Sequence, residues 1–278
     1  MLFGLYCSSE KLNTLSQWIE MKIENLTIGY KRKKEPDTIL LKGINLTINK
    51  GQLICLIGPN GCGKSTFLRT ITGIQSPLAG DIKLNDKSIT DLDRSELARS
   101  LSIVLTENFN LGSASVYSIV SMGRYPHNNW LGVLREEDFN IVDSVLEITG
   151  LTKFRDKDIL ELSDGFRQKV MIARALAQKT PLILLDEPTA FLDIPNKLEI
   201  LSLLKKLTIE EGISILLSTH DLDLAVQFTD LIWFITQENS IDIETPETIT
   251  TNEKFLKSFS ANGFNYDPER SIFRNFKK

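Results

Sequence analysis

The 278-residue sequence predicts an α/β fold with a mixed sheet, an antiparallel β edge and a helical insertion sub-domain. Three observations carry this. Leu53–Ile57 is a continuous apolar run, as expected of a strand buried on both faces, and it ends in a glycine-rich stretch, Gly58–Gly63. The later apolar runs Leu182–Leu185, Ile213–Leu217 and Leu231–Phe234 alternate with helical patterns near residues 164–178, 196–211 and 221–229, which indicates a parallel sheet. Between these two regions, roughly residues 107–160 change character and take on helical spacing.

In chain order, Met21–Ile28 and Ile44–Ile48 alternate apolar and polar residues and read as half-buried antiparallel strands. Lys31–Lys34 with Pro36 reads as a solvated turn between them. A helix is expected from Lys64. Ile82–Leu84 reads as a strand with Asn85-Asp86-Lys87 as its turn, and Leu101–Leu105 as the next buried strand. Val116–Met122 and Glu136–Thr149 read as the insertion's helices, with His127 exposed in the polar loop between them. The expected domain spans residues 21–260, with its helical sub-domain at about 107–180. Residues 1–20 read as an N-terminal extension, with Met21 an alternative start, and 261–278 as a C-terminal tail.

Bulk composition excludes several classes. A net charge of −4 lacks the basic excess of a dedicated nucleic-acid binder, so no nucleic-acid partner is expected. No apolar run approaches the roughly 18–20 residues that would cross a bilayer. The three cysteines, Cys7, Cys55 and Cys62, have no paired spacing, which favours a reducing compartment over a disulfide framework.

The chemistry lies in two segments. Gly58-Pro59-Asn60-Gly61-Cys62-Gly63-Lys64-Ser65, followed by Thr66, fills every fixed position of the phosphate-binding P-loop pattern. Its glycines turn backbone N–H groups inward as an anion nest, and the helix beyond adds its positive N-terminal end. Lys64 is placed to reach the β- and γ-phosphates, and the Ser65 hydroxyl to ligate Mg²⁺. Leu182–Leu185 then ends in Asp186-Glu187. Behind a P-loop this delivers Asp186 to the metal side of the phosphates and lets Glu187 polarise a water against the γ-phosphate. Cys62, inside the loop, is expected to be reachable and to have its pKa lowered by the nest and by Lys64.

Further motifs narrow the class. Leu162-Ser163-Asp164-Gly165-Phe166-Arg167-Gln168 resembles the ABC signature motif, commonly Leu-Ser-Gly-Gly-Gln. Pro188-Thr189-Ala190-Phe191-Leu192-Asp193 resembles the family's D-loop, Ser218-Thr219-His220-Asp221 its switch histidine, and Tyr30 its adenine-stacking aromatic. The order matches over residues 21 to about 235, so the chain resembles an ABC ATPase. Ser121-Met122-Gly123-Arg124-Tyr125-Pro126, then Trp130-Leu131-Gly132, resembles ATPases serving importers of iron–siderophores, haem and cobalamin.

The resemblance implies a mechanism and partners. Two copies of this chain would sandwich two ATP molecules, each on residues 58–66 of one copy and under Ser163 and Gly165 of the other, with Asp193 beside them. Glu187 would activate water and His220 would hold the γ-phosphate end. Two integral-membrane permease subunits and a solute-binding protein would complete the importer, with this chain peripheral on the cytoplasmic face of the inner membrane and residues 101–130 receiving the permease. Three departures stand out. Thr106-Glu107 stands where the family has a glutamine, and Glu107 is expected to take over its metal-side role. Asp164 replaces a glycine and is expected to point away from phosphate, and Phe166 replaces the signature glutamine. The alternative is a single-domain iron–sulfur assembly ATPase, against which the Gly123-Arg124-Tyr125-Pro126 segment argues. A regulator without turnover is opposed by Glu187 and His220.

Overall fold

The computed structural model describes residues 19–33, 35–106, 112–128 and 133–260, with side chains to residue 256, and the backbone of 264–267 and 272–275. Residues 1–18 of the expected 1–20 extension, Glu107, Trp130-Leu131-Gly132 and the side chains of the tail lie outside the described residues.

The chain opens with β1 (Met21–Tyr30) and β2 (Thr38–Ile48), then β3 (Leu53–Ile57), α1 (Lys64–Ile71), β4 (Ala79–Leu84), β5 (Lys87–Ser88) and α2 (Arg94–Ser100). It continues through β6 (Leu101–Val104), α3 (Val116–Ser121), α4 (Glu136–Ile148), α5 (Asp164–Ala177) and β7 (Leu182–Leu185). Next come α6 (Ile194–Glu210), β8 (Ser214–Thr219), α7 (Leu222–Phe228), β9 (Leu231–Ile235), β10 (Ile241–Glu244), α8 (Pro246–Ile249) and α9 (Glu253–Ser260), with a last hairpin of β11 (Phe264–Asp267) and β12 (Ile272–Asn275).

The main sheet runs β10-β9-β3-β8-β7-β6, parallel except for β10. The antiparallel component expected from the sequence appears both at this β10 edge and as a separate four-stranded sheet, β2-β1-β4-β5. Two hydrophobic cores explain the continuous apolar runs. Leu53, Cys55 and Ile57 face the core shared with α3–α7, whereas Ile54 and Leu56 face the one shared with α1 and the antiparallel sheet. Strands β7, β8 and β9 divide their apolar residues in the same way, and the serines buried in the sheet, Ser102, Ser214 and Ser218, are each hydrogen-bonded. The β4–β5 turn uses Asn85 and Asp86 with φ of 48° and 62°, the left-handed pair that suits a tight hairpin.

The helical sub-domain is held by a buried ion pair. Arg124, in a 3-10 turn over Met122–His127, donates from Nε to Asp138 Oδ1 at 2.8 Å and from Nη1 to the Ala177 carbonyl at 2.7 Å. Both members of the pair are only 5% exposed. Gly123 lies so close to α5 that a Cβ there would run into the Arg174 carbonyl oxygen. His127 corrects an expectation: it is half-buried rather than exposed, because its Nε2–H donates to the Gln178 carbonyl at 2.8 Å, and burial lowers its pKa. Gln178 in turn donates to the carbonyls of Ala98 and Leu101, tying the end of α5 to α2 and β6.

Burial pushes the Asp138 carboxyl up, but the Arg135 N–H and the Arg124 guanidinium outweigh it and hold the group below the usual carboxylate range. A depressed folded value contributes stability that is whole above the unfolded value of about pH 4 and is lost as pH falls through the folded one. Arg124→Ala, which strands the buried carboxylate, should cost roughly 3–5 kcal/mol in urea denaturation at pH 7, less under acid conditions. A loss below about 1 kcal/mol at pH 7 would show the pair to be dispensable.

Candidate nucleotide site

Three parallel strands bring the predicted residues to one edge. Strand β3 pairs with β8, Ile57 opposite Thr219, and β8 pairs with β7, Leu217 opposite Leu185. The residues just beyond these strands are Gly58, His220 and Asp186, so the loop, the histidine and the carboxylates emerge together at the carboxyl end of the sheet. In open α/β sheets this is the edge where ligands bind.

The loop folds as its glycines dictate. Gly61 and Gly63 have φ of 78° and 109°, and Cys62 N–H donates to the Pro59 carbonyl at 3.3 Å. A Cβ at Gly58 would stand 2.8 Å from Cys62 Sγ and 3.0 Å from Ile235 Cβ, too close for any side chain. Gly63 caps α1 with no side-chain bond, and no acid stands in the first turn, so the N–H groups there are left to an anion. Lys64 is buried, its Nζ donating to the carbonyls of Gly58 at 2.9 Å and Pro59 at 3.3 Å. The same ammonium lies 3.9 Å from Glu187 Oε1, and His220 Nδ1 lies 3.7 Å from Glu187 Oε2. Ser65 is exposed next to Lys64, and Thr66 is buried, sharing a 2.9 Å hydrogen bond with the Tyr30 hydroxyl. Tyr30 thus stands fixed beside α1, 51% exposed, presenting an aromatic surface at the site.

Sequence reasoning gave Ser218 no role of its own, yet it organises the carboxylates. Its hydroxyl donates to Asp186 Oδ1 at 2.7 Å and accepts the Glu187 N–H at 2.9 Å. Glu187 needs that support, because its φ of 47° is left-handed, a conformation that costs a non-glycine residue on the order of 1 kcal/mol. The only signal in the sequence is a serine directly after the apolar run Ile215–Leu217, two residues before His220. Thr106 also serves this strand, its hydroxyl donating to the Asp186 carbonyl at 2.9 Å.

The other predicted residues form a second group. Ser163 caps α5 without a side-chain bond, leaving its hydroxyl exposed, and α5 packs on α3, α4 and α6. Gly165 lies against Asn196, which bonds to Asp193, the N-cap of α6. A Cβ at Gly165 would stand 2.7 Å from Asn196 Oδ1, so this glycine also has a packing reason. Phe166 packs its ring on that of Phe154, with the centroids 4.4 Å apart. Asp164 is turned to Arg167, at 3.1 Å from its Nη1.

The donor set suits a magnesium nucleotide. Among the described residues no group of three or more His, Cys, Asp or Glu side chains could hold a metal by itself. A hard cation that keeps one or two protein oxygens and takes the rest from phosphate needs no such cage. The Ser65 hydroxyl and the Asp186 carboxylate, beside an amide-lined loop, fit that arrangement.

Comparison with known proteins matches this geometry. A family model described as ABC transporter covers residues 41–190, more than half of the chain. An ABC transporter ATP-binding protein of Methanocaldococcus jannaschii is 39% identical over 246 residues, covering 88% of this chain and 83% of that protein. This chain belongs to the ABC transporter ATP-binding family. It is similar also to the iron(3+)-hydroxamate import ATP-binding protein FhuC of Bacillus subtilis, 38% identical over 235 residues, covering 82% of this chain and 86% of that protein. Among solved structures, the ATP-binding cassette MJ0796, a dimer in a post-hydrolysis state with ADP and phosphate, superposes with a TM-score of 0.69 at 30% identity. That match covers 81% of this chain and 98% of the cassette. The protein is therefore an ABC-type ATPase coupled to transport.

In this ABC ATPase the loop cysteine departs from expectation. Burial against the loop raises the Cys62 thiol above the ordinary range; the Lys64 charge and the N–H groups of Lys64 and Cys62 pull it down without prevailing. Cys55 is fully buried in β3 and raised further by desolvation. Peptide-resolved maleimide labelling should therefore find Cys62 slower than a free thiol at pH 7, accelerating through pH 9, with Mg-ATP protecting it and Cys55 silent. Faster-than-free labelling at pH 7 would restore the activated-thiolate expectation.

Proposed function

We propose that the chain is the ATP-hydrolysing subunit of an importer for an iron chelate, such as a siderophore or haem, or for cobalamin. The observation that carries the catalytic part is Glu187, fixed at the strand end with Lys64 at 3.9 Å on one side and His220 at 3.7 Å on the other. Supporting the transport part, the relatives' names are those of import or transport ATP-binding proteins, which favours import over iron–sulfur assembly.

In this reading the loop amides of residues 58–66 and the Lys64 ammonium hold the β- and γ-phosphates, with the Tyr30 ring stacking on adenine. Mg²⁺, when bound, would supply charge neutralisation between the phosphates, held by Ser65 and Asp186, with Glu107 as a further candidate ligand. Ser218 keeps Asp186 oriented and fixes the Glu187 backbone. Glu187 takes the proton of an attacking water, and His220 steadies the γ-phosphate end. Ser163 and Gly165, on a separate helix, act on the nucleotide of a second copy, with Asp193 beside them. Among the described residues no helix is long and apolar enough to cross a membrane. In this reading the partners are two permease subunits, met on the cytoplasmic face of the inner membrane, and a solute-binding protein.

Glu187→Gln should retain ATP affinity, lose hydrolysis by about 10²–10⁴-fold and trap an ATP-dependent dimer visible by size-exclusion chromatography. Turnover at the parent rate would remove Glu187 from the chemistry. Lys64→Ala should instead weaken nucleotide binding itself, and an unchanged titration would contradict the loop assignment.

A further inference from the structure

Two charged residues at the start of α5 have no part in the reading above. Asp164 puts a carboxylate between Ser163 and Gly165, and its side chain is 72% exposed. Arg167 lies one turn further along with all three guanidinium nitrogens engaged. Its Nη1 donates to Asp164 Oδ1 at 3.1 Å, its Nε to the Ile159 carbonyl at 3.2 Å and its Nη2 to the Leu160 carbonyl at 3.0 Å. The two carbonyls belong to a 3-10 turn over Ile159–Glu161, just before Ser163, and they hold the guanidinium from behind. Lys169, two residues further on, pairs with Glu199 on α6 and lies 5.0 Å from the Phe166 ring.

We propose that Arg167 is a positioning residue that neutralises Asp164 so that the Ser163–Gly165 segment can close on the triphosphate of a second copy. The inference rests on the proposed placement of that segment across a dimer. While the pair is exposed, it adds little to stability. Closure changes its surroundings: water leaves, screening weakens, and a bare carboxylate beside a triphosphate is repelled. Because the guanidinium is already fixed by two carbonyls, closure does not have to order it. The pair also suits the helix start, where an acid is favoured by the dipole and its charge needs no distant partner.

The test uses the full chain carrying Glu187→Gln, with ATP-driven dimerisation read by sedimentation and monomer affinity by nucleotide titration. Arg167→Ala should weaken dimerisation about tenfold or more at low salt, less at high salt, with monomer ATP affinity unchanged. Adding Asp164→Asn should restore dimerisation to within about threefold of the parent. Dimerisation of Arg167→Ala at the parent level would overturn the proposal. So would a failure of Asp164→Asn to restore it, the result expected if Arg167 merely ties the preceding turn. Should Arg167→Ala not fold, Asp164→Asn alone should tighten dimerisation at low salt, and unchanged affinity would overturn the idea. If the Glu187→Gln parent itself does not dimerise, the placement of Ser163 and Gly165 across a dimer fails, and the role of Arg167 falls with it.

Discussion

The parallel pairing of β3 with β8, and of β8 with β7, is the constraint on which the site depends. Five consecutive buried residues in β3 can satisfy their backbone only between two neighbouring strands, and their side chains only between two cores. Once that register is set, the loop after β3, the carboxylates after β7 and the histidine after β8 emerge at one edge without further instruction. A one-residue slip would exchange the two faces of a strand and also move its terminal residue away from its neighbours' ends. Packing and chemistry are therefore specified by the same apolar residues.

Within that frame, polar detail is concentrated where backbone geometry is unusual. Glu187 and Phe191 both adopt left-handed φ, 47° and 63°, within five residues of each other. Such conformations persist only where the surroundings over-determine them. At Glu187 the Ser218 hydroxyl holds the N–H and also orients the neighbouring carboxylate, while the Ala190 N–H holds the carbonyl at 3.0 Å. Phe191 is 94% exposed and stands in a turn that the Leu192 N–H closes on the Thr189 carbonyl at 3.4 Å.

The strands, the loop and the carboxylate pair were legible because each is contiguous in sequence: periodicity marks the strands and glycine spacing marks the nest. What could not be read depends on residues far apart in the chain. The Arg124–Asp138 pair spans two helices, and His127 is buried by a carbonyl fifty-one residues away. The Cys62 expectation failed for a different reason. The attractive charges near the thiol were visible in the sequence, but the desolvation that outweighs them comes from how tightly the loop closes on itself. Phe166 likewise read as a departure until its Phe154 partner, twelve residues earlier, gave it a packing role.

The tight seam between the 3-10 turn and the end of α5 has a mechanical consequence. With Gly123 against the Arg174 carbonyl, and Arg124 and His127 bonded to Ala177 and Gln178, the turn and that helix end cannot slide independently. Helix α5 runs from there back to Asp164 over fourteen residues, a stiff rod of about 21 Å at 1.5 Å per residue. A load applied to the turn is thus delivered at the Ser163 end as the swing of a lever, not absorbed along the way.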